Sequence, residues 1–186
     1  TLTNTNPVTS GAAVHIQNSK RIKVKVMDGT TNTLVDCASG SQKGAFYVKG
    51  HPEFSESGVL NVVGNLKHAI KSGEYIELKD ATINVTSAAG DGINCAQYFL
   101  MESGVINISG VEDDGIQCDI EDTEVGSTGE TVDHEDEDSG NIYIEGGTIN
   151  INTPGKAAKG IKSEGDLFVK DGTINITTTG HGKWDD

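Results

Sequence analysis

The sequence predicts an all-β chain wound as a right-handed parallel β-helix, a solenoid of about eight coils with about 23 residues each. Three observations predict it. Short motifs recur along the chain at a nearly constant spacing. Ile (17) and Val (15) outnumber Leu (7), and 24 Gly against 3 Pro favour strands broken by tight turns. No apolar stripe of helical period runs anywhere in the chain.

The first 40 residues match the repeat least well and read as two irregular coils. Within them Ile22-Lys23-Val24-Lys25-Val26 alternates as a strand with a basic outer face. From there the repeat is explicit. A small residue precedes an apolar one at Ala45-Phe46, Ala69-Ile70, Gly92-Ile93, Gly115-Ile116 and Gly160-Ile161. A second column reads Val59-Leu60-Asn61-Val62, Thr82-Ile83-Asn84-Val85, Val105-Ile106-Asn107-Ile108, Thr148-Ile149-Asn150-Ile151 and Thr173-Ile174-Asn175-Ile176. A third pairs Ile76 with Leu78, Phe99 with Met101, Ile142 with Ile144 and Leu167 with Val169.

Each coil thus offers three short alternating strands. A single coil cannot bury its apolar face and must stack on its neighbours. Alternation sends the Ile and Val side chains into the tube and their neighbours outward, so Asn61, Asn84, Asn107, Asn150 and Asn175 form an external ladder. Glycine before the inward Ile suits a corner that needs positive φ or close backbone approach. The stretch 119–140 interrupts the repeat. It carries ten acids and no Lys or Arg, with His134 as its one titratable base, and reads as an exposed acidic loop in which Asp133, Glu135, Asp136, Glu137 and Asp138 are a secondary metal candidate. Trp184 falls 23 residues after Ile161, so a further coil is expected to begin there and the native chain to continue past Asp186. One compositional style throughout implies one domain over 1–186.

A net charge of -14 excludes nucleic acid as the natural partner, because phosphate binding requires a basic stripe, and favours cations. No apolar run is long enough to span a bilayer and no leader-like segment opens the chain, which starts at Thr1 in a manner compatible with export. The repeat itself excludes the disordered chain that a low apolar content would otherwise allow. Three cysteines cannot make a disulfide scaffold. Cys95 and Cys118 stand 23 apart, however, and either a disulfide or a reduced inward ladder with Ser72 and Ser163 fits that spacing.

The turn Gly90-Asp91-Gly92-Ile93-Asn94 recurs as Asp113-Asp114-Gly115-Ile116-Gln117 and stacks Asp91 on Asp114. Like carboxylates that close repel. A hard cation between them converts the repulsion into binding, and Ca²⁺ takes six to eight oxygen ligands, to which Asp113, Asp119, Glu121 and Asp122 would contribute. The plainer alternative is a solvated Asp-Gly turn without an ion. Leu100, Tyr143 and Phe168 occupy successive outward positions of the third column, after Glu77. An aromatic strip beside an amide ladder of Asn84, Asn107, Asn150 and Asn175 is the arrangement expected of a polysaccharide groove, with rings stacked on sugars and amides on hydroxyls; a partner or loop covering the strip is the alternative. Lys159 and Lys162, with Lys156, stand where earlier coils carry Asp, and would pair with uronate carboxylates or offset acids of the preceding coil. The five histidines show no metal-ligand spacing, and no Ser-His-Asp, Cys-His or phosphate-loop motif occurs, which excludes a nucleophilic hydrolase.

Taken together, Asp28-Gly29-Thr30-Thr31-Asn32-Thr33-Leu34, Ser57-Gly58-Val59-Leu60-Asn61-Val62, Lys67-His68-Ala69-Ile70-Lys71, Gly90-Asp91-Gly92-Ile93 and Gly140-Asn141-Ile142-Tyr143-Ile144-Glu145-Gly146-Gly147 resemble a bacterial family of calcium-associated carbohydrate-binding parallel β-helices, structurally similar to pectate lyases. The resemblance implies binding of cellulose and of acidic polysaccharides such as polygalacturonate. Ala158-Lys159-Gly160 departs from it where an acidic turn would be similar to the family pattern, and the acidic loop is longer than the pattern. The leading expectation is therefore a secreted or cell-surface module that binds polysaccharide with Ca²⁺ and performs no catalysis. Two other functions stay open: a structural rod or adhesin that self-associates end to end, and a Ca²⁺-dependent polysaccharide lyase using Lys159 or Lys162 as base.

Overall fold

A computed structural model describes residues 3–4 (backbone only), 11–120 and 139–182. Every element among them is a strand, and no helix is present that is long and apolar enough to cross a membrane. The strands fall into three parallel sheets. The first holds β1 (Thr3–Asn4), β4 (Thr31–Val35), β7 (Val59–Gly64), β10 (Thr82–Ala88), β13 (Val105–Ser109), β16 (Thr148–Thr153) and β19 (Thr173–Thr178). The second holds β2 (Val14–Ile16), β5 (Gly44–Val48), β8 (His68–Ser72), β11 (Ile93–Ala96), β14 (Ile116–Asp119) and β17 (Ile161–Ser163). The third holds β3 (Arg21–Lys25), β6 (His51–Ser55), β9 (Ile76–Leu78), β12 (Tyr98–Met101), β15 (Asn141–Ile144) and β18 (Leu167–Val169).

Each strand pairs with the third strand before and after it, the arrangement of a parallel β-solenoid. The repeat columns become sheet registers. Ile83 pairs with Leu60 and Ile106, Ile106 with Ile149, and Ile149 with Ile174. Ile116 pairs with Ile93 and Ile161, and Phe99 with Ile76 and Ile142. The register offset is 32 residues for Val14–Phe46 and 28 for Thr31–Val59, but 23 for Ile83–Ile106. The early part reads as irregular because its turns are longer. Among its described residues are the short β1 and the three strands β2 to β4.

The core is a single column of stacked apolar side chains. Ile83, Ile93, Phe99, Ile106, Ile116 and Ile149 are all buried, and alternate residues face out. Gly92, Gly115 and Gly160 sit at the corner before the second sheet, and none adopts a left-handed φ. Close approach is what requires them. A Cβ on Gly92 would lie 2.7 Å from the carbonyl oxygen of Gly115, and one on Gly115 would lie 2.5 Å from that of Gly160. Larger residues at this corner would wedge the coils apart.

Cys95 and Cys118 are register partners and both are buried free thiols, with Ser163 continuing the column. Burial in an apolar interior, reinforced by the adjacent Cys118, pushes the Cys95 thiol well above its ordinary range. The ladder is thus a reduced inward one. Glu121, Asp122, the acidic residues from Asp133 to Asp138 with His134, and Trp184 lie outside the described residues.

Candidate functional site

The acidic turns are built by a relay from coil to coil. The backbone N–H of Asp114 donates to Asp91 Oδ1 (3.0 Å), and that of Lys159 donates to Asp114 Oδ1 (2.7 Å). The same place one coil before Asp91 is held by His68. Its Nδ1 lies 3.1 Å from the backbone nitrogen of Asp91 and 3.2 Å from Asp91 Oδ2. A neutral ring with its proton on Nε2 accepts the N–H, whereas a protonated ring pairs with the carboxylate. His68, Asp91 and Asp114 therefore share one structural duty: a side-chain acceptor satisfies the backbone donor of the next coil.

Asp91 and Asp114 are both buried but titrate in opposite directions. Burial pushes the Asp91 carboxyl up, yet the hydrogen bond and charge of His68, the Asn94 amide and the Asp114 N–H together hold it below its ordinary value. At Asp114 burial prevails and raises it against the hydrogen bond and charge of Lys159, with the neighbouring carboxylates of Asp113 and Asp91 adding smaller upward pushes. Exposed Asp113 completes the group. Asp91, Asp113 and Asp114 each offer one carboxylate oxygen, and these lie within 4.8 Å of one another.

That donor set is suited to a hard cation, and a cation placed there would relieve the repulsion that raises Asp114. Within the set, Asp91 already has both oxygens engaged by protein donors, so Asp113 and Asp114 have the most to gain. Asp119 stands outside the three-acid group. It accepts from Gln117 and, at 3.4 Å, from the Asn94 amide. Asn94 links the two carboxylates, because its Nδ2 also donates to Asp91 Oδ2 (2.6 Å) while Lys71 Nζ donates to Asn94 Oδ1 (2.6 Å). Lys71, Asn94 and His68 were not singled out by the sequence. Their signal was available: His68 and Asp91 are 23 apart, as are Lys71 and Asn94.

Lys159 is half-exposed, and its Nζ stands 3.8 Å from Asp114 Oδ1, so it offsets an acid of the preceding coil. Lys162 pairs in register with Gln117 on the outer face of the second sheet.

The aromatic strip lies on the outer face of the third sheet. Leu100 is in register with Tyr143, and Tyr143 with Phe168. The Tyr143 and Phe168 rings stack with centroids 5.0 Å apart and planes 7° from parallel, and Phe168 is 47% exposed. Sequence reading missed the rest of the stack. Tyr98 meets Tyr143 edge to face (6.3 Å) and stacks on Tyr75 (4.4 Å), which stacks on His51 (4.1 Å). The 23-residue spacing of Tyr75 and Tyr98 could have revealed them. The phenols are anchored: Tyr98 OH donates to Glu77 Oε1 (2.8 Å), and Asn141 Nδ2 donates to Tyr143 OH (2.7 Å).

The amide ladder is continuous. Asn84 donates to Asn61, Asn107 to Asn84, Asn150 to Asn107 and Asn175 to Asn150, at 2.8 to 2.9 Å. It runs along the first sheet, whose strand in each coil follows that of the third sheet in the chain. The strip and the ladder sit on different strands of each coil, and these strands belong to different sheets. A shallow groove of about 320 Å³ follows the ladder, lined by Asn107, Asn150 and Asn175 with Ser109, Asn152 and Thr177 beside them. Three outer faces thus carry the candidate residues: amides on the first, the acid and lysine group at the second, rings on the third.

A family model described as carbohydrate-binding domain-containing protein matches residues 2–185. Among solved structures the chain is similar to a polysaccharide lyase-like protein from C. thermocellum, solved as a gadolinium derivative. The two are 21% identical with a TM-score of 0.62, over 95% of this chain and 73% of that one. No curated protein matches.

Proposed function

The chain belongs to the carbohydrate-binding domain-containing protein family, and from that premise we propose that it is a secreted or cell-surface rod that binds polysaccharide with the help of Ca²⁺ and without a catalytic step. The winding proposed is right-handed, as parallel strands joined by crossovers almost always are, with about 23 residues per coil.

The observation that carries the reading is the Tyr143–Phe168 stack with Leu100 beside it. Rings fixed in parallel at successive coils offer a flat apolar surface of low conformational entropy, and the apolar faces of sugar rings pack on such surfaces. Amides held in a ladder keep capacity for hydroxyl groups, which makes the first-sheet groove of Asn107, Asn150 and Asn175, with Asn84 next along the ladder, a second contact surface.

Asp91, Asp113 and Asp114 would hold the Ca²⁺, with Asp119, Glu121 and Asp122 as further ligands. The ion supplies positive charge to a turn of like carboxylates and a point of attachment for carboxylated sugars. Lys159 and Lys162 would pair with the same carboxylates.

Retention on insoluble cellulose and on cross-linked polygalacturonate, measured with calcium and with EDTA, tests the proposal. Wild type should be retained, and Tyr143→Ala/Phe168→Ala should elute early. Calorimetric titration of Ca²⁺ should give a Kd near ~10⁻⁴ to 10⁻³ M that is lost in Asp113→Asn/Asp114→Asn. Equal retention of the ring variant would sink the third-sheet surface, and absence of heat in wild type would sink the ion.

A further inference from the structure

We propose that the pocket at the first complete coil, between β2 and β5, is a separate subsite for one anionic sugar residue that needs no metal ion; it rests on the carbohydrate-binding reading and adds a site lined by none of the acids of the turns.

The pocket encloses about 310 Å³, near the small end of ligand sites and of a size for one sugar ring. Its wall is a pair of rings. His15 on β2 and Tyr47 on β5 are register partners whose neighbours Val14, Phe46 and Val48 pack on the core, so both rings point outward. Their centroids are 4.6 Å apart and tilted by 31°. Lys43 Nζ stands 5.9 Å from the Tyr47 centroid and is exposed. A carboxylate entering here meets an ammonium already placed over an aromatic ring.

The loop bearing Lys43 is held from beneath. Gln42 Nε2 donates to the buried carboxylate of Asp36 (3.0 Å) and to the carbonyl of Cys37 (2.7 Å). Gln42, fixed in this way, lines the pocket beside Lys43. Gly11, with φ +125°, also lines the pocket, and among the described residues nothing lies within 4 Å of where its Cβ would be.

Charge distinguishes this site from the rest of the molecule. Residues 1–56 hold six Lys or Arg against two Asp and two Glu, a net of +2, in a chain whose total is -14, and Arg21 and Lys25 among them pair with Glu53 and Glu56. The remaining residues therefore repel an anion, and the local field draws one to this end. The acidic turns would meet a carboxylated sugar through a bridging cation. This one presents its own positive charge.

The test is calorimetric binding of a uronic acid trisaccharide, and of the matching neutral hexose trisaccharide, to the whole chain in EDTA. The expected result is uronate binding about tenfold weaker in Lys43→Gln and in Tyr47→Ala and unchanged in Gly182→Ala, with neutral-sugar binding the same in Lys43→Gln as in wild type. Lys43 is exposed, so its variant folds and keeps the test decisive. Wild-type uronate affinity in Lys43→Gln, or an equal loss of neutral-sugar binding in that variant, overturns the proposal. No uronate binding in EDTA, with calcium-loaded protein still retained on polygalacturonate, overturns this subsite and leaves the calcium-assisted reading standing. Loss of retention under every condition overturns both.

Discussion

Gly115→Ala isolates the requirement that lets the coils stack at their tightest corner. The added Cβ would meet the Gly160 carbonyl oxygen at 2.5 Å and Ile151 Cγ2 at 2.7 Å. Neither neighbour can withdraw cheaply. The Gly160 oxygen accepts the Ile116 N–H at 2.9 Å, and Ile151 is buried in the core. Overpacking of this kind costs about 1–3 kcal/mol, and contact with pinned backbone places the expected loss near 3. The Gly to Ala change also narrows the unfolded ensemble, which returns about 0.4–1 kcal/mol, so the net loss is roughly 2 to 2.5 kcal/mol. For a chain of this size that lowers Tm by about 4–10 °C. The control is Gly182→Ala, where nothing lies within 4 Å and the change should be neutral or slightly stabilising. Paired thermal and urea denaturation, with m unchanged, reads the difference. A Gly115→Ala midpoint equal to that of the control would refute close approach as the reason for the glycine column.

The amide ladder makes a graded prediction. Asn107→Ala breaks two ladder bonds and should cost about 1–3 kcal/mol, whereas Asn175→Ala breaks one at an exposed edge and should cost about 0.5–1.5, as read by urea midpoints; equal effects would show that the amides act independently. Acidification probes Asp91. Its folded pKa is depressed, so its contribution to stability is complete above the ordinary value of 3.8 and is lost as pH falls through the lower folded value. The stability gap between wild type and Asp91→Asn should therefore narrow as pH drops below about 3.8, and a gap that stays constant would refute the pairing.

The stacking columns were legible because in a parallel solenoid the sequence period and the sheet register are one quantity. Ile83, Ile106 and Ile149 repeat in the chain and therefore pair in the first sheet, and the Asn next to each repeats with it. Alternation told which residue faces inward, and so placed the Tyr143–Phe168 pair on an outer face. The acidic turn was legible as a stack for the same reason, since Asp91 and Asp114 share the period.

What the carboxylates do there was not legible. Period places two acids near each other, but whether they repel, bridge an ion or accept a backbone N–H depends on the direction of each side chain. Only the folded corner shows Asp91 Oδ1 aimed at the Asp114 N–H. The same holds for the face an aromatic occupies relative to the amides. Three strands per coil can be counted in the chain, yet the turns between them decide which sheet each strand joins, and they set the rings and the ladder on separate faces. His15 and Tyr47 make the point most directly. They are 32 residues apart across the longest early offset, outside the period that exposed everything else, and only the closure of that coil brings the two rings to 4.6 Å. Periodic contacts belong to the sequence, while contacts across irregular turns and the direction of polar side chains belong to the tertiary structure, because no fixed spacing encodes them.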